Sequence, residues 1–256
     1  MRLHLAILIT PIAALTTAHG LAFAQEDERE KAFRAEQVAV FRPADHLLPM
    51  EGHMRDLRGM GYQILLYEKL CPEKDDASPR VIVIPSFSAE WCLSISRSAP
   101  EVTLRMADEH LWNSKQPEKV AISTRKLVVD ETTASALRRV WNAMLLCTRY
   151  PRYGSSGFDG ERYYFSAVKI MESSLESPTF LAGSAWSPEL DTKPGRLVWI
   201  VEQLRQLVAG AKSARSSEAS IREAAQRLLA DIAKEQSTAE TKPGDNKPAA
   251  PDRNPR

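Results

Sequence analysis

Hydrophobic spacing changes several times along this chain, and each change marks an element. Leu5 to Ala18 carries no charged residue. Arg2 precedes this run, and Ala22-Phe23-Ala24 and the charged stretch Glu26 to Lys31 follow it. That three-part order is a secretory signal peptide over residues 1–24, with cleavage near Ala24-Gln25. The competing reading is a membrane anchor. The apolar run is shorter than the about 20 residues a helix needs to cross a bilayer, and Pro11 interrupts it. No cysteine follows that would carry a lipid, and no twin-arginine pair precedes. The expectation is a periplasmic or secreted protein, exported unfolded, with no stable membrane span after cleavage.

Beyond the signal, residues 25–61 read as an N-terminal arm and a loop-rich lead-in, with Pro49, Gly52, Gly59 and Gly61 as breakers. At most a short helix is expected there, at His53–Arg58. Tyr62–Leu70 and Arg80–Phe87 are short apolar runs rich in aromatic and β-branched residues, which predicts strands. Trp91–Arg97 alternates large apolar with small polar residues. Its period of two directs Trp91, Leu93 and Ile95 inward and Cys92, Ser94 and Ser96 outward. Val102–Leu111 and Lys119–Asp130 form a further strand pair joined by the turn residues Asn113 to Pro117.

The period then lengthens. Ala134, Leu137, Val140, Trp141, Met144 and Leu145 recur at three and four residues, making one apolar helix face between Asp130 and Cys147. Arg162–Lys169 and Thr179–Trp186 read as a hairpin launched by Asp159-Gly160. Lys193–Ala214 is an amphipathic helix with Leu197, Ile200, Val201, Leu204, Leu207 and Val208 on its core face, and Ser217–Gln236 is a second. From Ser237 only polar residues, Ala and Pro remain, so residues 237–256 are expected to be a disordered Pro-rich tail. Strands in runs with short turns predict an α+β fold: an antiparallel sheet of about seven strands packed against amphipathic helices. The expected globular domain covers 62–214, followed by a C-terminal helix over 215–236.

Charge narrows the partner classes. The whole chain has 34 Lys+Arg and 33 Asp+Glu; without Arg2 the exported part carries 33 of each. That neutrality argues against a nucleic acid or an anionic membrane held by bulk charge. With 43% hydrophobic residues overall, the chain can build a core.

Candidate chemistry is sparse. Gly154-Ser155-Ser156-Gly157 lacks the spacing and preceding strand of a nucleophile elbow. The exported histidines, His46, His53 and His110, show no metal-ligand spacing, so no metal is expected. Phosphate-binding glycine loops are absent, and no cofactor is expected. Asp159 is an acid in a glycine-rich loop beside aromatics, but Asp-Gly is equally the turn that starts the hairpin. Cys147 sits on a helix among leucines, where a thiol serves as a small apolar group. Cys71, Cys92 and Cys147 leave the disulfide state open. An up-down-up meander of Tyr62–Leu70, Arg80–Phe87 and Trp91–Arg97 puts Cys71 and Cys92 at opposite ends of the sheet, which conflicts with a bond between them.

One block carries a resemblance. Trp141 to Tyr150 is followed by Asp159-Gly160-Glu161-Arg162-Tyr163-Tyr164-Phe165 and by Gly183-Ser184-Ala185-Trp186-Ser187-Pro188. This resembles a D-G-x-x-Y-x-F…G-x-x-W-S-P pattern in uncharacterised exported proteins of Gram-negative bacteria. The resemblance covers about 50 residues and implies export and a hairpin-plus-helix core, with no activity attached. Read functionally, Arg149, Tyr150, Asp159, Tyr163 and Trp186 form a ligand-facing rim, with Arg149 gripping a carboxylate. Read structurally, aromatics at strand spacing are core. The leading expectation is a non-catalytic interaction module that binds another envelope protein, in one version an immunity-type protein. The alternatives are an envelope hydrolase using Asp159, His110 or Ser155, and a structural envelope component reaching out through its tail.

Overall fold

Alternating β-branched and aromatic residues in the middle of the chain build one six-stranded sheet. The structure, a computed structural model, describes residues 44–49, 57–72, 79–150, 160–169, 179–210 and 218–240. Residues 1–24, read above as a signal peptide, Gly154–Gly157, Asp159 and residues 241–256 lie outside them. In chain order the elements are α1 (Leu57–Leu70), β1 (Arg80–Pro85), β2 (Trp91–Ile95), β3 (Glu101–Ala107), β4 (Ile122–Val128), α2 (Glu131–Leu146), β5 (Glu161–Lys169), β6 (Thr179–Trp186), α3 (Lys193–Ala209) and α4 (Glu218–Glu240).

The strand order is β4-β3-β2-β1-β5-β6, and every neighbouring pair is antiparallel. β1 to β4 run as a meander. α2 then carries the chain from the β4 edge back to β5, beside β1. The fold is α+β, with six strands where the sequence predicts about seven. The difference is Tyr62–Leu70, which is part of helix α1. Its composition favours a strand, but Tyr62, Leu66 and Leu70 recur every four residues and pack on the sheet, while Ile64 is 57% exposed. A run this short satisfies both periods, and only the partner surface decides.

The two sheet faces have different covers. Val81, Val83, Trp91, Leu93, Ile95, Val102, Leu104, Tyr163 and Phe165 face the large core. α2, α3 and α4 lie in that core, contributing Leu137, Trp141, Leu197, Leu204, Ile221 and Leu228 among others. Trp141 is fully buried, donates Nε1–H to the Arg80 carbonyl at 3.2 Å and meets Phe165 edge-on, ring centres 5.4 Å apart. α3 begins at Thr192, whose side-chain oxygen accepts the Gly195 N–H, and ends at Gly210 in the left-handed conformation. α4 packs along α2 and α3.

The opposite face carries a smaller core under α1: Leu66, Leu70, Ile82, Cys92, Ala107, Leu111 and Tyr164. Cys92 therefore points away from the main core, as its alternation predicts, yet it is buried because α1 covers it. Helical α1 also overturns the expected separation of Cys71 from Cys92. The Cys71 Sγ lies 3.3 Å from the Cys92 Sγ.

Candidate functional site

Four segments distant in sequence meet at one corner of the structure. Residues 44–49 form a strap. Leu48 makes an antiparallel bridge with Ser184 of β6, their N–H groups donating to each other's carbonyls at 2.8 and 2.7 Å. Leu47 is fully buried and accepts the Arg149 N–H at 3.2 Å. The strap thus joins the sheet edge to the chain leaving α2. Gly183 permits this approach, since a Cβ there would lie 2.8 Å from Thr148 Oγ1 and 3.0 Å from Leu47 Cβ.

Asp45 on the strap faces the start of α3. Its Oδ1 accepts the Lys193 N–H at 2.7 Å, and its Oδ2 pairs with the Lys193 ammonium. The same ammonium reaches Glu235 of α4 at 2.8 Å. Burial pushes Asp45 up, but the Lys193 hydrogen bonds and charge outweigh it and hold the carboxyl below its ordinary range. For Lys193 burial acts downward, and Asp45 and Glu235 together raise it.

These residues surround a cavity of about 360 Å³. Asp45, His46, Cys147, Thr148, Arg149, Lys193, Glu235 and Gln236 line it, with Met144 and Leu146 supplying apolar wall. His46 Nε2 and Thr148 Oγ1 are buried and have no hydrogen-bond partner among the described residues. Burial, then the neighbouring Arg149 charge, lower the pKa of His46 below the ordinary 6.5, against Asp45, which raises it. Burial thus favours the neutral imidazole, and a hydrogen bond to the Arg149 backbone, which acts the other way, already engages the ring. Arg149 and Lys193 as cations and Asp45 and Glu235 as anions line the cavity, which gives it charge of both signs.

The four described residues of the expected rim do not converge. Arg149 lines this cavity. Tyr150, next in sequence, is 67% exposed and is not among the lining residues. Tyr163 is buried in the main core, donating its hydroxyl to Glu161, and burial raises its pKa. Trp186 pairs in register with Arg162, and Tyr163 with Ala185, so Trp186 and Tyr163 project from opposite faces of the sheet. Asp159 is outside the described residues. Asp45, His46, Thr148, Lys193, Glu235 and Gln236 carry no local motif. Only the N-cap at Thr192 hints that Lys193 stands at a helix start.

A second polar cluster surrounds Glu90, which is fully buried just before β2. Its carboxylate accepts the Leu111 N–H at 2.7 Å, the Trp112 N–H at 3.3 Å and the Tyr62 hydroxyl. His110 Nδ1 stands 2.8 Å from Glu90 Oε1 but is not aligned for a hydrogen bond. Tyr62 meets Trp112 edge-on at 4.8 Å. The cluster binds α1 and the chain after β3 to the start of β2. His110, one of the residues considered for hydrolysis, is thus held against a structural carboxylate; Ser155 lies outside the described residues.

Among the described residues no group of three His, Cys, Asp or Glu could hold a metal ion, and no helix is long and apolar enough to cross a membrane. The fold defines the chain as an α+β protein with an antiparallel sheet between a three-helix layer and a single helix. No protein-family model, curated protein or solved structure matches it.

Proposed function

We propose that this chain is an exported, non-catalytic binding protein that engages another envelope protein at the His46–Thr148 cavity. The observation that carries the reading is a cavity of about 360 Å³ in which Arg149 and Lys193 stand beside Asp45 and Glu235, with His46 and Thr148 in its wall. The volume suits one or two side chains of a partner loop better than a large cofactor. The group that fits carries an acceptor oxygen for Arg149, such as a carboxylate or carboxamide of a partner side chain. Equal numbers of acidic and basic residues in the exported part suit recognition by local hydrogen bonds over bulk charge. Export rests on the apolar run Leu5 to Ala18 and the Ala22-Phe23-Ala24 site; an immunity-type role is one version of this reading.

The test is capture from envelope extract with the native chain, Arg149→Glu and Trp199→Ala. Trp199 lies on α3, outside the residues lining the cavity. The native chain and Trp199→Ala retain one specific partner, and Arg149→Glu reduces its recovery at least tenfold. A partner held equally by all three, or none at all, contradicts the proposal.

A further inference from the structure

We propose that Cys71 and Cys92 are an oxidation site, closing to a disulfide that ties the C-terminal end of α1 to the inner strand β2. Their sulfurs are in contact at 3.3 Å, although 21 positions separate them in sequence. A disulfide needs about 2 Å between sulfurs, a gap that small side-chain rotations close. The setting divides the labour. Cys71, just beyond α1, is half-buried, whereas Cys92 is buried. Cys92 pairs in register with Ile82 on one side and Arg105 on the other, and Arg80 lies two positions from Ile82 on the same face. The Cys92 hydrogen bond lowers the Cys71 thiol to about 7, against burial and with help from Arg80 and Arg105. The same contact, together with burial, raises Cys92. Cys71 is thus the thiol that reacts first, and Cys92 the one that resolves.

The oxidant is a disulfide, either small or carried by an exported thiol oxidase. The Cys71 thiolate attacks one of its sulfurs, forming a mixed disulfide and releasing the first oxidant thiol. Cys92 gives up its proton, attacks the Cys71 sulfur and expels the second oxidant thiol. Two cysteine thiols are oxidised, and one disulfide is reduced to two thiols. Cys147 stays out of this exchange. It lies at the end of α2, where Gln236 Nε2 approaches its sulfur at 3.7 Å. The inference is independent of the binding cavity. It leans on export only for the natural source of oxidant, which oxidised glutathione replaces in vitro.

The test is thiol alkylation and mass spectrometry on the native chain, reduced and then incubated with oxidised glutathione. One adduct is expected, on Cys147, with the Cys71 and Cys92 peptides joined and the protein about 2 Da lighter before alkylation. Three adducts after oxidation, or a bond that includes Cys147, overturn the proposal. A melting comparison keeps the test open should a variant fold poorly. Oxidised native chain melts about 5–10 °C above the reduced chain. Cys71→Ala removes the difference and Cys147→Ala preserves it; a difference that survives Cys71→Ala refutes the pairing.

Discussion

Glu90 shows how one buried residue organises a region that hydrophobic patterning does not explain. Its carboxylate gathers two backbone N–H groups and a tyrosine hydroxyl from separate parts of the chain. Replacing it with Leu leaves those donors buried without partners, so Glu90→Leu costs about 2–4 kcal/mol in guanidinium unfolding. His46 makes a second residue-scale prediction. Its folded pKa lies below the ordinary 6.5, so the fold prefers the neutral ring. The sign follows: this stability is present above the unfolded pKa and is lost as pH falls through the lower folded pKa. Thermal stability of the native chain therefore begins to drop as pH falls below about 6.5. His46→Asn, which does not titrate, flattens that part of the profile. An unchanged slope in the variant rules out His46 as its source. Neither residue was legible beforehand. Glu90 sits in a stretch with no motif, and the importance of His46 comes from Arg149 and Lys193, more than a hundred positions away.

At the scale of elements, α1 is where composition and structure part. Tyr62 to Tyr67 is as apolar and aromatic as a strand, yet its buried side chains follow a helical stripe. The helix assigns opposite roles to close neighbours. Leu66→Ala removes a side chain that is 2% exposed and costs about 2–4 kcal/mol. Ile64→Lys, at a 57% exposed position, stays within about 0.5 kcal/mol. A strand puts residues 64 and 66 on one face, so equal losses at both contradict the helix. The other elements were readable because their patterns are longer or stricter. Trp91, Leu93 and Ile95 alternate without exception, and α2 repeats its apolar face over four turns. The hairpin of β5 and β6 was legible from the same alternation, with Gly183 marking where the strap presses on β6.

Across the whole molecule, the sequence conveyed the layering but not the convergence. Strand runs followed by amphipathic helices implied an antiparallel sheet with a helical cover, and that is what forms. The cavity required knowing that a strap near residue 46, the exit of α2, the start of α3 and the far part of α4 end at the same corner. No periodicity records such a meeting, which is why, of the four described rim residues, Arg149 alone lines the cavity. The same blindness hid the Cys71–Cys92 contact, which depends on α1 lying across β2. The central claim is that a partner protein binds at this corner. It is tested most directly by a photocrosslinking amino acid placed at Gln236 on the cavity rim, with Thr124 on β4 as control. Thr124 is exposed on the opposite sheet edge, roughly 24 Å from β6 by strand spacing. Irradiation in living cells gives a discrete heavier adduct from position 236 and none from 124. No adduct from 236, or the same adduct from both positions, contradicts the account.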